Sequence, residues 1–202
     1  MMTEMNQLTI SAFEKAFKAF KTQDVELALR VIDEDTAIDN LDKEINQYAV
    51  WLIAKEQTFA TDLRRIISSI KITSDIERIA DFAVNIAKAT AKIGITESLI
   101  NLTKLEEMQE LSLKMLKMSL TAFIDGNIAL AKEVGALDNQ VDDYYAETYK
   151  KVTDYLRANP EETTQLVQLL FINRYLERTA DHITNVAESA AYLIKGKIYD
   201  LG

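Results

Sequence analysis

The sequence has no cysteine, one proline (Pro160), five glycines and one histidine (His182). Without cysteine there can be neither a disulfide nor a thiolate metal site. So few prolines and glycines cannot supply the turns of an all-β fold, whereas 48% apolar residues suit long amphipathic helices. Basic residues are outnumbered, and the formal net charge is −9, so the concentrated basic face of a nucleic-acid binder is not expected. The longest apolar run, residues 49–54, falls far short of the roughly 20 residues that cross a bilayer. No charged-then-apolar leader opens the chain. A single histidine cannot build a ferritin-like di-iron centre, which takes two Glu-x-x-His motifs. No glycine-rich phosphate loop is present, and no hydroxyl nucleophile is paired with a base at a recognisable spacing. A soluble, cytoplasmic, all-α protein is the expectation.

What the sequence does contain is helical periodicity. A first helix is expected over residues 6–20, and Asp24 is placed to cap a second by accepting its orphan N–H groups. Ile38, Leu41, Ile45, Tyr48 and Leu52 step by three and four, the seam of a bundle helix, and Tyr48 and Trp51 are read as core. A break near Gln57 and Thr58 leads to a third helix over residues 59–93, with Ile76, Ile79, Ala83 and Ile86 as its stripe. Gly94 stops it and Thr96 starts a fourth helix running to residue 124. Asp125-Gly126-Asn127 is a turn, and a fifth helix runs to residue 158. Asn159 and Pro160 break that helix and open a sixth, reaching residue 195. Six helices with short connections predict two tandem repeats of an antiparallel three-helix bundle, residues 1–95 and 96–202.

The repeat can be read residue by residue. Shifted by 103, Phe20, Leu27, Ala28, Val31, Asp35 and Asp39 fall on Phe123, Leu130, Ala131, Val134, Asp138 and Asp142. Farther on the shift becomes 100: Glu77-Arg78-Ile79-Ala80-Asp81 falls on Glu177-Arg178-Thr179-Ala180-Asp181, and Asn85 and Ala87 on Asn185 and Ala187. Core packing explains matched apolar residues but not matched carboxylates, so the two halves are read as a duplication.

The acidic residues carry the chemistry. Asp35/Asp39, Glu77/Asp81, Asp138/Asp142 and Glu177/Asp181 are each spaced i, i+4, which stacks like charges on one helix face at a cost of a few tenths of a kcal/mol per pair. Asp81 and Asp181 have Arg78 and Arg178 three residues back; Asp35, Glu77, Asp138 and Asp142 have no base at i±3 or i±4. At about 100° per residue, Glu77 and Asp81 point away from their own helix's apolar stripe, so an outward-looking acidic face is expected. Oxygen-rich clusters of this kind suit hard cations such as magnesium, manganese, calcium or ferric iron. One such pair would ordinarily be a solvated surface, but four pairs in two related sets favour metal binding. His182 aligns with Phe82 and reads as a surface or packing residue rather than a ligand.

These duplicated segments, together with Asp62-Leu63-Arg64 and the paired aspartates, resemble the PhoU family over nearly the whole chain. The resemblance implies paired three-helix bundles with metal at the Glu/Asp-x-x-x-Asp motifs. Multinuclear iron is the leading metal, with manganese, magnesium, zinc and calcium as further candidates. It also implies a non-catalytic negative regulator of the phosphate-starvation response, linking the ATPase of a phosphate ABC transporter to a sensor histidine kinase. Such a protein meets the membrane through partners and can form a homodimer. Arg64, Arg78, Asn85, Arg178 and Asn185 are the candidates for partner contact. The competing readings are a metal-dependent hydrolase or metal-storage bundle, and an accessory of a different transporter. Relative to the family, the first helix is short and Phe59 stands where a proline is common.

Overall fold

The computed structural model describes residues 1–55, 59–92, 94–95 and 97–201. Its elements are α1 (Met2–Thr22), α2 (Val25–Lys55), α3 (Ala60–Lys92), α4 (Glu97–Asn101), α5 (Leu105–Asp125), α6 (Ile128–Ala158), a 3₁₀ turn (Pro160–Glu162) and α7 (Thr163–Lys195). The expected break at Gln57 and Thr58, the third helix's end at residue 93 and the fourth's start at Thr96 lie outside the described residues.

The turns show why the chain folds twice in the same way. Gln23 ends α1 with a left-handed φ of 53°, and Gly126 ends α5 with φ 66°. The next residue caps the following helix in each case. The Asp24 carboxylate accepts the Leu27 N–H at 2.9 Å, and the Asn127 side chain accepts those of Ala129 and Leu130 at 3.0 and 3.3 Å. Each cap is worth about 1 kcal/mol. Both positions of this turn are related by the shift of 103.

α1 packs on α2 and α3, α5 packs on α6 and α7, and α3 packs against α7 to join the halves. The expected stripe of α3 is fully buried, and so are its counterparts Leu176, Thr179, Ile183 and Val186 on α7. Equivalent positions in the turn regions also share their burial: Ala28 with Ala131 and Val31 with Val134. Alanines at 80, 83, 87, 180 and 187 keep both central helices slim on their buried sides. Contacts across this packing are reciprocal under the shift of 100. His182 Nδ1 donates to Asp75 Oδ1 at 2.9 Å, and the equivalent residues, Phe82 and Tyr175, stack with centroids 6.0 Å apart.

Two expectations are corrected. The predicted fourth helix is two helices, interrupted at residues 102–104. There the Thr103 hydroxyl donates to the Ile100 carbonyl at 2.6 Å, and the Lys104 N–H donates to the Thr148 hydroxyl at 2.9 Å. Side chains thus satisfy backbone groups that would otherwise continue the ladder. Tyr48 and Trp51 are not core: they are 54% and 46% exposed. The reason is length. α1 has 21 residues against 31 in α2, so the last turns of α2 run past it, and the two rings stack on each other with Lys55 Nζ 4.4 Å from the Trp51 ring.

Candidate metal centres

Antiparallel packing of α2 on α3 and of α6 on α7 brings the acidic pairs into two facing clusters. Asp35 is raised above its ordinary pKa by burial and then by the charges of Asp39 and Asp81, which lie on both helices. Glu77 is raised by burial and then by Asp81, with Arg78 opposing. In the second half the effect is larger. Burial, then Asp142 and Asp181, push Asp138 up to about 6. Asp142 and Glu177 are likewise raised, by burial first and then by Asp181. All eight carboxylates expected from sequence therefore lie in these two clusters. Asp81 and Asp181, expected to look outward from their own helix's stripe, keep 39% and 35% of their side chains exposed, whereas Asp138, facing them from the neighbouring helix, is only 6% exposed.

Arginines supply the countercharge in this geometry. Arg78 Nη1 meets Asp81 at 2.9 Å and its Nε meets Glu77 at 3.4 Å. Arg178 Nη1 meets Asp181 at 2.7 Å, and Arg174 Nη1 meets Glu177 at 2.6 Å. Among the described residues, no three histidine or carboxylate groups already converge on one point as ligands for an ion. The donor set nevertheless fits a hard cation, because every donor is an oxygen. Glu177 Oε2 is buried with no hydrogen-bond partner, and the Thr184 hydroxyl beside Asp138 is buried outside hydrogen-bonding geometry. Filling the clusters would mean exchanging arginine contacts for metal contacts and drawing the facing pairs together.

The second cluster also lines a cleft of about 330 Å³ that includes residues not singled out from sequence: Thr184, Glu188 and Asp200. Glu188 replaces Lys88 and Thr184 replaces Val84 under the shift of 100, a difference visible in the two repeats. Asp200 arrives on the C-terminal tail. Its backbone is held there because the Leu201 N–H donates to Glu188 Oε1 at 2.9 Å and the Leu201 carbonyl sits where a side chain on Gly135 would collide with it. No periodicity in the sequence could have announced that tail.

The candidate partner-contact residues divide. Arg78 and Arg178 are engaged with the clusters, and Asn185 donates to Asp75 at 3.4 Å across the α3–α7 crossing. Arg64 lays its guanidinium against the turn at Gly196 after α7. Asn85 lines a separate groove between α3 and α7. His182 packs against Phe82, 5.8 Å between centroids, and holds Asp75, so the packing role expected for it is observed. No described helix is long and apolar enough to cross a membrane.

Two joined three-helix bundles, each with an acidic cluster in the groove between its long helices, define a duplicated helical protein of one recognisable class. The PhoU domain model matches residues 2–90 and again 105–190, and the chain belongs to the PhoU family. It is 34% identical over 201 residues to a phosphate-specific transport system accessory protein PhoU homolog of Clostridium acetobutylicum, covering 99% of this chain and 92% of that one. It is 36% identical to the Aquifex aeolicus homolog over 195 residues, covering 96% of this chain and 88% of that one. The crystal structure of PhoU from Pseudomonas aeruginosa superposes with a TM-score of 0.92 at 28% identity, covering 96% of this chain and 94% of that chain. That of the phosphate transport system regulatory protein PhoU from Streptococcus pneumoniae superposes with a TM-score of 0.88 at 32% identity, covering 98% and 93%.

Proposed function

We propose that the chain is a regulatory accessory protein of a phosphate-specific transport system that represses the phosphate-starvation response while phosphate is plentiful. The observation that carries this reading is near full-length similarity to proteins bearing that accessory role, in both repeats. In this reading the protein acts by docking rather than by catalysis. Its partners are the transporter's ATPase and a sensor histidine kinase, and its affinity for them follows the transporter's conformational state. Deletion should derepress phosphate-acquisition transcripts in phosphate-replete cells. Unchanged transcripts would reject the assignment.

Hard cations, iron among them, belong to the same reading. Asp35, Asp39, Glu77 and Asp81 would hold ions in the first half, and Asp138, Asp142, Glu177 and Asp181 in the second. A bound cation supplies neutralising charge. The residues' own part is to offer desolvated oxygens from two helices at once, so that occupancy ties those helices together and stabilises the native state by mass action. Metal analysis of the protein recovered from cells, with the thermal shift on chelation, tests this.

A further inference from the structure

We propose that the end of the first bundle formed by the last turns of α2, the first turns of α3 and the end of α7 rests directly on the surface of a bilayer that carries anionic lipid. This goes beyond the docking role given above and does not depend on it.

The last turns of α2 run past the short α1, and what they leave bare is apolar. Tyr48, Val50, Trp51 and Ile53 are all exposed, Val50 by 63%. Phe59, just before α3, is 80% exposed, and Ile67 on α3 is exposed as well. At about 100° per residue, the four α2 side chains point over more than half of the helix's circumference. Ala49, buried, and Leu52, half-buried, occupy the remaining arc. A folded partner laid against one side would leave the other sides wet. An end dipped among lipid headgroups is surrounded on every side, and exposed tryptophan and tyrosine rings favour that level of a bilayer.

The second repeat shows that a bundle of this kind does not require such an end. Under the shift of 103, Tyr48, Val50 and Trp51 correspond to Lys151, Thr153 and Asp154; under the shift of 100, Phe59 corresponds to Asn159. The same turns fold with polar side chains in the second half, so packing does not account for the rings and aliphatics facing out in the first.

The charge around the rings selects the surface. Lys55, Arg65, Lys195 and Lys197 are exposed, and Lys55 Nζ lies over the Trp51 ring. The Arg64 guanidinium lies against the turn at Gly196, which sets Lys195 and Lys197 beside the start of α3. Residues 48–71 and 195–199 together hold six basic residues and two acidic ones, in a chain whose formal net charge is −9. The acidic clusters do not cancel this local excess. Asp39 stands twelve residues before Trp51 on α2, roughly 18 Å away at about 1.5 Å per residue, against a screening length of about 8 Å at physiological salt. Anionic headgroups at the depth of the rings are thus attracted by the neighbouring lysines and arginines, while the bulk of the negative charge lies out of range.

The test uses the full-length protein and extruded vesicles, with no other protein present. Vesicles of phosphatidylcholine containing about one-third phosphatidylglycerol should carry the protein down on centrifugation, and phosphatidylcholine alone should not. Trp51 is the single tryptophan, so its emission should shift to shorter wavelength on binding and be quenched by brominated acyl chains. Trp51→Ala/Phe59→Ala and Lys195→Gln/Lys197→Gln should each weaken binding about tenfold, the second loss being reproduced in the unaltered protein by raised salt. All four side chains are exposed, so the unfolding temperature should stay unchanged. Lys150→Gln/Lys151→Gln, at the equivalent end of the second bundle, should bind as the unaltered protein does. No sedimentation with anionic vesicles, equal binding to neutral ones, an unmoved Trp51 emission, or full binding by either end variant would overturn the proposal. So would conversion of a dimer to a monomer by Trp51→Ala/Phe59→Ala in light scattering, since that would mark this end as an interface between copies. Transcripts in the deletion strain judge the regulatory reading separately, because the vesicles contain neither transporter nor kinase.

Discussion

The two acidic clusters each hold the same set of four principal carboxylates and differ in what surrounds them. In the first, Lys88 lies close enough to Asp35 to oppose the rise in its pKa, and Val84 presents methyl groups. In the second, the equivalent positions are Glu188 and Thr184, the tail adds Asp200, and Asp138 is buried deeply enough to titrate near 6. Duplication has therefore kept the carboxylate pattern while changing its electrostatic setting. Arginines offset part of the charge in both clusters, but Lys88 adds to them only in the first, while Glu188 and Asp200 add negative charge to the second.

The largest effect should come from removing ligands. Asp142→Asn/Asp181→Asn should abolish most of the metal-dependent thermal shift, whereas Asp39→Asn/Asp81→Asn should remove a smaller share. Metal titration by calorimetry, with manganese as probe, checks the order. Equal losses would erase the distinction between the halves, and retention of full stoichiometry by both variants would remove these motifs as the site. Next in size is the charge exchange. Lys88→Glu should tighten the first site and Glu188→Lys should weaken the second, each by roughly tenfold if each of the two unit charges changed near the ion is worth about 0.7 kcal/mol.

A smaller effect concerns pH. In metal-free protein Asp138 titrates near 6 against an ordinary 3.8, so the native state retains a proton that the unfolded chain has already released. Stability should therefore fall as pH rises through that window. Asp138→Asn should flatten this slope and stabilise the metal-free protein at neutral pH by about 1 kcal/mol, while weakening metal binding. Thermal denaturation from pH 4 to 7 in chelator, compared with Asp35→Asn, measures both halves on one scale.

The smallest effect should come from Gly135→Ala. It improves intrinsic helix propensity by about 1 kcal/mol but drives a methyl group into the Leu201 carbonyl, so the gain should be cancelled as the tail lifts. Limited proteolysis of the tail reads this out. In the first half Ile32 occupies the equivalent position and its side chain packs against the core, so Ile32→Ala should leave the tail's protection unchanged and cost stability instead.

Much of this architecture was legible in the residues. The caps at Asp24 and Asn127 and the stripe of Ile76, Ile79, Ala83 and Ile86 follow from local chemistry and period. Duplicated carboxylates identified both clusters, because like charges repeated at i, i+4 have no packing explanation. What escaped depends on contacts distant in sequence. The break at Thr103 needs Thr148, the exposure of Trp51 needs the length of α1, and the burial of Asp138 needs α7 opposite it. Asp200 enters its cleft only because Gly135, far back on α6, leaves room for Leu201.

The crossing of α3 and α7 bears on ancestry. A twofold relation between covalently joined halves is the arrangement left when two copies of a symmetric dimer become one chain. While the copies were separate, any substitution beside the axis had to appear twice and suit its own mirror contact. Once they were fused, each contact could change alone. Asp75 with His182 on one side and Tyr175 with Phe82 on the other show that freedom: equivalent positions make a hydrogen bond in one place and a pair of stacked rings in the other.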